Sequence, residues 1–210
     1  MRLPLLAALV AFVVLGACTS EAQAPAHGEH GAMMHGEDHD MGAHHAGVPM
    51  DMPARATDEA RVSPNALLGQ TIGTTNVFIS YGRPSVRDRV VFGELVPYGE
   101  VWRTGANEAT VIHVAGDVTV EGQRLPAGTY GLFTIPGEET WTVIFNGGSE
   151  QWGSFNYDES QDVLRVEVAP EAGAKTELMT FGFENVTETS ADLVLSWDEV
   201  RVPVTIEVGS

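Results

Sequence analysis

Six histidines and five methionines fall within residues 27–52: His27, His30, His35, His39, His44 and His45 with Met33, Met34, Met41, Met50 and Met52. Imidazole suits copper, zinc and nickel, whereas thioether is soft and serves mainly Cu(I), so the mixture points to copper. The surrounding chain is almost free of aliphatic residues, and coordination would have to offset the entropy of ordering it. That predicts weak, multiple copper sites on a loose segment. Glu29, Glu37, Asp38 and Asp40 raise the local cation concentration, and they would do so equally on a polar spacer that binds no metal.

A second concentration of chemistry is cationic. The chain carries 29 acidic against 11 basic residues, a formal net charge of -18, yet Arg83, Arg87, Arg89 and Arg103 cluster within one stretch. All four are arginine, which favours planar, bidentate recognition of carboxylate or phosphate over generic charge. One reading is a site for a small polar or anionic ligand or an envelope component, with Arg83, Arg87, Arg89 and Arg103 as donors and Tyr81, Trp102, Asn107 and Glu108 around them. A second reading is a brace, in which the arginines pair with Asp88, Glu94, Glu100 and Glu108 and tie a long irregular segment to the scaffold. A third is hydrolysis, with Glu94 and Glu108 as acid and base.

The usual signatures of other chemistries are missing. Ser85, Ser154 and Ser160 lie in no nucleophile-elbow context, and no glycine-rich phosphate loop precedes a helix. His113, the one histidine outside the tether, reads as a strand residue rather than a general base. Trp152, Phe155 and Tyr157 read as core or corner packing, with the floor of a pocket as the alternative. No cofactor is required by any of these readings beyond the copper of the tether, and the strongly acidic balance argues against nucleic acid as a partner.

The elements that must position these residues are strands. From Val62 onward, short apolar or alternating runs recur between turn residues, which predicts an all-β fold, a single antiparallel sandwich or jelly-roll-like domain over 62–210. Nine strands are expected, at 76–80, 109–114, 117–121, 130–135, 140–146, 163–168, 176–183, 192–197 and 200–208. Glu121-Gly122, Pro136-Gly137, Asn146-Gly147-Gly148 and Asp198-Glu199 supply turn chemistry. In the last strand Val200, Val202, Val204, Ile206 and Val208 alternate with polar residues, and Pro203, which has no N–H to donate, predicts a sheet edge. Helix is limited to a turn or two within 92–102. Residues 83–108 form the long irregular loop, and residues 18–61 a disordered tether.

The chain opens on Arg2, an apolar run and small residues before Cys18, its single cysteine. That is the layout of a secretory signal, and its apolar run is shorter than the roughly 20 residues that span a bilayer. Leu15-Gly16-Ala17-Cys18 resembles the lipobox of bacterial lipoproteins. The resemblance implies removal of residues 1–17, lipidation of Cys18, and a chain held in the bacterial cell envelope by its acyl chains, facing the periplasm or exterior. With the cysteine so used, disulfides and thiolate chemistry are excluded.

"SPNALLGQTIG", "ISYGRPSVRDRVVFGELVPYGEVWRTGANEAT", "LPAGTYGLFTIPG", "WTVIFN" and "QWGSFNYDESQDVLRV" together resemble the bacterial family known as domain of unknown function 2911, from about Ser63 to Val208. The resemblance implies an envelope-associated, β-rich domain, often behind a lipoprotein signal, and no particular activity. Many relatives have a small residue or glycine where this chain has Asp88, a poorer choice if the turn needs positive φ. The His/Met tether lies outside the family pattern.

Overall fold

The structure is a computed structural model and describes residues 47–57 and 59–209. Their alternating apolar residues are satisfied by two antiparallel sheets packed face to face. The strands are β1 (Asn65–Ile72), β2 (Thr75–Gly82), β3 (Thr110–Val114), β4 (Val118–Val120), β5 (Gln123–Leu125), β6 (Gly128–Ile135), β7 (Trp141–Asn146), β8 (Asp162–Val168), β9 (Glu171–Glu184) and β10 (Ser190–Val208). The larger sheet runs β1-β2-β3-β6-β7-β8 and the smaller β5-β4-β10-β9. A single 3-10 turn, Glu159–Gln161, is the one helical element among the described residues, so 92–102 holds bends and turns instead of the expected helix.

Alternate residues of each strand meet between the sheets. Val77, Ile79 and Tyr81 of β2, Ile112 and Val114 of β3, and Trp141, Val143 and Phe145 of β7 face Met179 and Phe181 of β9 and the apolar series of β10. At one end Trp102 stacks on Trp197 (5.7 Å between ring centroids, 19° between planes), with Phe92 edge-on to both and to Trp141. Trp102, Trp141 and Trp197 are buried and Phe92 partly so, and each large side chain buried in this way contributes about 1.5–3 kcal/mol. The irregular segment is therefore nailed to the sandwich by its own aromatic residues. A smaller cluster of Ala109, Phe133 and Ile144, with Val101 and Tyr157 against it, lies apart from this core.

β10 corrects two expectations. Residues 192–197 and 200–208 are not two strands joined by a turn at Asp198-Glu199, but one strand whose register shifts on either side of Asp198. Ala191, Leu193, Leu195 and Trp197 are buried at odd positions, and Val202, Val204 and Ile206 at even ones. An uninterrupted strand would turn the second set outward; the irregularity at Asp198, with φ of 54°, resets the alternation so that both halves face the core. Nor is β10 an edge. It lies between β9 and β4, and Pro203 falls between its last partner on β9 (Arg201 with Glu171) and its first on β4 (Ile206 with Val120), where no ladder bond is lost. β1 and β5 were not expected as strands. β1 pairs residue for residue with β2, although Leu67 is exposed and Gly69 interrupts its pattern.

Candidate functional site

The folded unit takes in residues upstream of Val62 that composition assigns to the tether. Met52 is buried, and Arg55 is a clasp. Its Nε donates to Ser80 Oγ (3.2 Å), Nη1 to Glu108 Oε2 (3.1 Å), and Nη2 to the carbonyls of Ala109 (2.7 Å), Glu108 (3.1 Å) and Ser80 (3.3 Å). Burial pushes the guanidinium down to about 10, against the raising field of Glu108, so it stays charged at neutral pH. A second attachment joins Asp51 to β3 and β6: Thr129 Oγ1 donates to Asp51 Oδ2 (2.6 Å), and His113 Nδ1 lies 2.8 Å from the same hydroxyl. His113 is thus a satisfied strand residue.

The arginines of the irregular segment separate into different roles. Arg83 Nε donates to the Met179 carbonyl (2.8 Å), and Arg89 donates to the carbonyls of Val86 (3.0 Å) and Ser85 (2.6 Å), closing its own turn. Arg87 contributes its backbone N–H to Glu177 (3.0 Å) while its side chain is exposed. Arg87 and Asp88 both have positive φ, 51° and 54°, so the turn does require the left-handed conformation at Asp88. The brace exists, but it runs to main-chain carbonyls, not to acids. Among the described residues Asp88, Glu94 and Glu100 make no ion pair, and Glu108 pairs with Arg55 and Arg61 from the upstream segment.

The expected pocket walls are not walls. Tyr81 is buried, stacked edge-on against Phe181 (4.9 Å), and its hydroxyl accepts from the Phe181 N–H (3.0 Å). Trp102 is in the core, its Nε1 bonded to the Gly105 carbonyl (3.2 Å). Asn107, at φ of 65°, donates to the Ser63 carbonyl (3.2 Å) and accepts from the Gly153 N–H (3.0 Å), which couples two loops. Gly82 lets the segment cross: a Cβ there would overlap the Ala106 carbonyl oxygen.

Arg103 differs from the rest. Its Nε is buried and meets no hydrogen-bond partner among the described residues, burial pushes its guanidinium below the usual range, and its charge is felt at Arg55. Glu94 and Glu108 make no contact with each other among the described hydrogen bonds and ion pairs, and Glu108 is engaged by Arg55 and Arg61. Glu94 is exposed in a tight turn. Burial pushes the Glu108 carboxyl up, but the Arg61 hydrogen bond (2.6 Å), its own backbone N–H and the charges of Arg55 and Arg61 outweigh this and hold it below the ordinary carboxylate range. A general acid needs the opposite shift.

Sequence reasoning missed what stands beside Glu108. Trp152 and Phe155, expected in the core or a corner, are 55% and 84% exposed, and only Tyr157 makes the corner. Tyr157 donates to Asp162 (2.6 Å) and accepts from Arg165 (2.8 Å), and its hydroxyl is pushed up to about 12, first by burial and then by Asp162. Asn146 bonds the carbonyl of Asp158 and the carboxylate of Asp162, which fixes the loop carrying Trp152. A cavity of about 330 Å³ opens between this loop and the upstream segment, lined by Arg55, Glu108, Ser149, Glu150 and Gln151 among others. Arg61 lies over the Trp152 ring, 6.0 Å from its centroid. The sequence signal for this site was the bias of 152–157 toward aromatic residues; Arg55 and Arg61 carried none, since composition places them in a tether.

Of the metal candidates, His27, His30, Met33, Met34, His35, His39, Met41, His44 and His45 lie outside the described residues, as does Cys18. Met50 is exposed, whereas Met52 is buried and taken up by packing. Among the described residues no group of three or more His, Cys, Asp or Glu could hold a metal ion, and no helix is long and apolar enough to cross a membrane.

No curated protein and no solved structure matches the chain. One protein family does, over residues 63–206, from just before β1 into the last turn of alternation in β10, a span that includes Arg103, Glu108 and Trp152 and leaves Arg55 and Arg61 outside. The chain therefore belongs to the family described as "Protein of unknown function (DUF2911)".

Proposed function

We propose that this protein is an envelope lipoprotein, anchored through Cys18, whose sandwich binds a small anionic ligand through Arg103. The observation that carries the reading is the buried Arg103 Nε, which meets no acceptor among the described residues although the domain from Val62 holds 21 acidic side chains against 8 basic ones. A buried guanidinium N–H without an acceptor is costly. A carboxylate or phosphate supplies both the charge and the lone pairs it lacks, and bidentate pairing with arginine suits either anion. Arg83, Arg89 and Arg55 are spent on carbonyls and serve to hold the segment in place.

The test is a thermal-shift and calorimetric screen of the whole chain with acetate, succinate, inorganic phosphate and acidic sugars. At least one anion should raise the melting temperature of the wild type and fail to do so for Arg103→Gln. If every anion shifts both proteins equally, the Arg103 reading is wrong. Cys18→Ser should move the protein from the membrane to the soluble fraction. The His/Met segment acts in the same proposal as a weak copper site reduced to the ligands upstream of Met52; replacing its histidines by serine should weaken copper binding by the intact chain.

A further inference from the structure

Glu108 and Trp152 are partners in an antiparallel bridge, which sets their side chains on one face of the backbone pair. They are held firmly: the Ala109 N–H donates to the Gln151 carbonyl (2.9 Å) and the Gly153 N–H to the Asn107 carbonyl (3.0 Å). Arg55 supports the carboxylate from the buried side, with its donors engaged by five oxygens of Ser80, Glu108 and Ala109. The outer side of the same carboxylate oxygen takes Arg61 Nη1 at 2.6 Å, and the Arg61 guanidinium covers the Trp152 ring. A carboxylate edge combined with an aromatic face reads a planar cation that pairs and stacks at once.

The adjoining cavity has the matching polarity. Besides Glu108 it presents Glu150 and Gln151, and the Gln151 Oε1 is buried with no donor among the described residues. These groups accept hydrogen bonds; a ligand rich in donors would satisfy them. Arg61 lies upstream of the family segment 63–206, while Glu108, Gln151 and Trp152 lie within it. The cation on the aromatic face is thus contributed from outside the domain that builds the site.

We propose that Glu108 and Trp152 form a binding site for the guanidinium group of an arginine-containing peptide, and that Arg61 occupies it as the chain's own stand-in until the ligand displaces it. The peptide backbone N–H groups would extend into the cavity toward Gln151 and Glu150. This goes beyond the anion reading and does not depend on it, because the two use different residues and opposite charges. A tethered competitor lowers the apparent affinity for any free ligand, so removing it should strengthen binding.

The experiment titrates the full chain with N-acetylarginine methylamide, which carries a guanidinium and peptide N–H groups but no carboxylate and so cannot report on Arg103. Calorimetry and Trp152 fluorescence give the affinity, with N-acetyllysine methylamide as the comparison. Arg61→Ala should bind the arginine probe about tenfold more tightly than the wild type and prefer it to the lysine probe. Adding Trp152→Leu, an exposed position that spares the fold, should remove at least that gain, and so should Glu108→Gln if the melting temperature shows it folded. Unchanged affinity in Arg61→Ala, equal binding of the lysine probe, or binding that survives Trp152→Leu would each overturn the proposal.

Discussion

Replacing Arg55 by Met tests whether the segment upstream of the family domain is part of its fold. The Arg55 side chain is 6% exposed and gives hydrogen bonds to Ser80, Glu108 and Ala109. Met keeps the apolar stem but leaves the Ala109 carbonyl without its cation and the Glu108 carboxylate with Arg61 as its remaining partner among the described residues. Two charge-assisted bonds at about 1.5–3 kcal/mol each, less the relief of no longer burying a cation, give a loss of about 3 kcal/mol. Urea unfolding followed by the fluorescence of buried Trp102, Trp141 and Trp197 measures it. With a slope of about 2 kcal/mol/M, the midpoint should fall by about 1.5 M. Arg61→Ala is the control, since an ion pair at 18% and 24% side-chain exposure should cost about 1 kcal/mol or less. A loss below about 1 kcal/mol for Arg55→Met, or equal losses for both variants, would refute the claim that Arg55 is a clasp.

Asp88→Gly should raise stability by about 0.5 kcal/mol, because relief of the left-handed backbone at φ of 54° slightly exceeds glycine's added entropy; urea unfolding would show it. Gly82→Ala should destabilise by about 2 kcal/mol or more, since a Cβ collides with the Ala106 carbonyl and neither backbone can yield cheaply; a melting temperature within 2 degrees of wild type would be wrong for a crossing this close. Glu108 has a folded-state pKa below its unfolded value, so its contribution is present above the ordinary carboxylate range and lost as pH falls through the depressed value. Stability of the wild type should therefore decline more steeply on acidification than that of Glu108→Gln.

The fold class was readable in the sequence because a sandwich writes its buried face as period-two alternation. The second half of Ser190–Val208 shows this most clearly, with Val202, Val204 and Ile206 buried and separated by half-buried Pro203 and Thr205, whereas Gly128–Ile135 and Trp141–Asn146 are central strands with nearly continuous buried runs. β1 escaped because an edge strand with one wet face can carry both Leu67 and Gly69 on its exposed side without penalty. β10 was read as two strands because a change of alternation phase looks the same whether a turn or a bulge causes it; only the continuous pairing with β9 distinguishes them.

The candidate site was less readable, and for one physical reason. Residue type announces that arginine can pair, but not with what. The sequence by itself determined the β-sandwich, the family segment, the acidic balance and the positive φ suspected at Asp88, all of which depend on local pattern or on close sequence resemblance. Tertiary structure alone decided that Arg83 and Arg89 cap carbonyls, that Tyr81 and Trp102 face the core, that Arg103 keeps a buried N–H without an acceptor among the described residues, and that Arg55 and Arg61 converge on Glu108 beside Trp152. Apart from Arg89, whose acceptors are close in sequence, those contacts join residues about 50 to 100 positions apart, where a side chain's direction, set by packing, selects the partner.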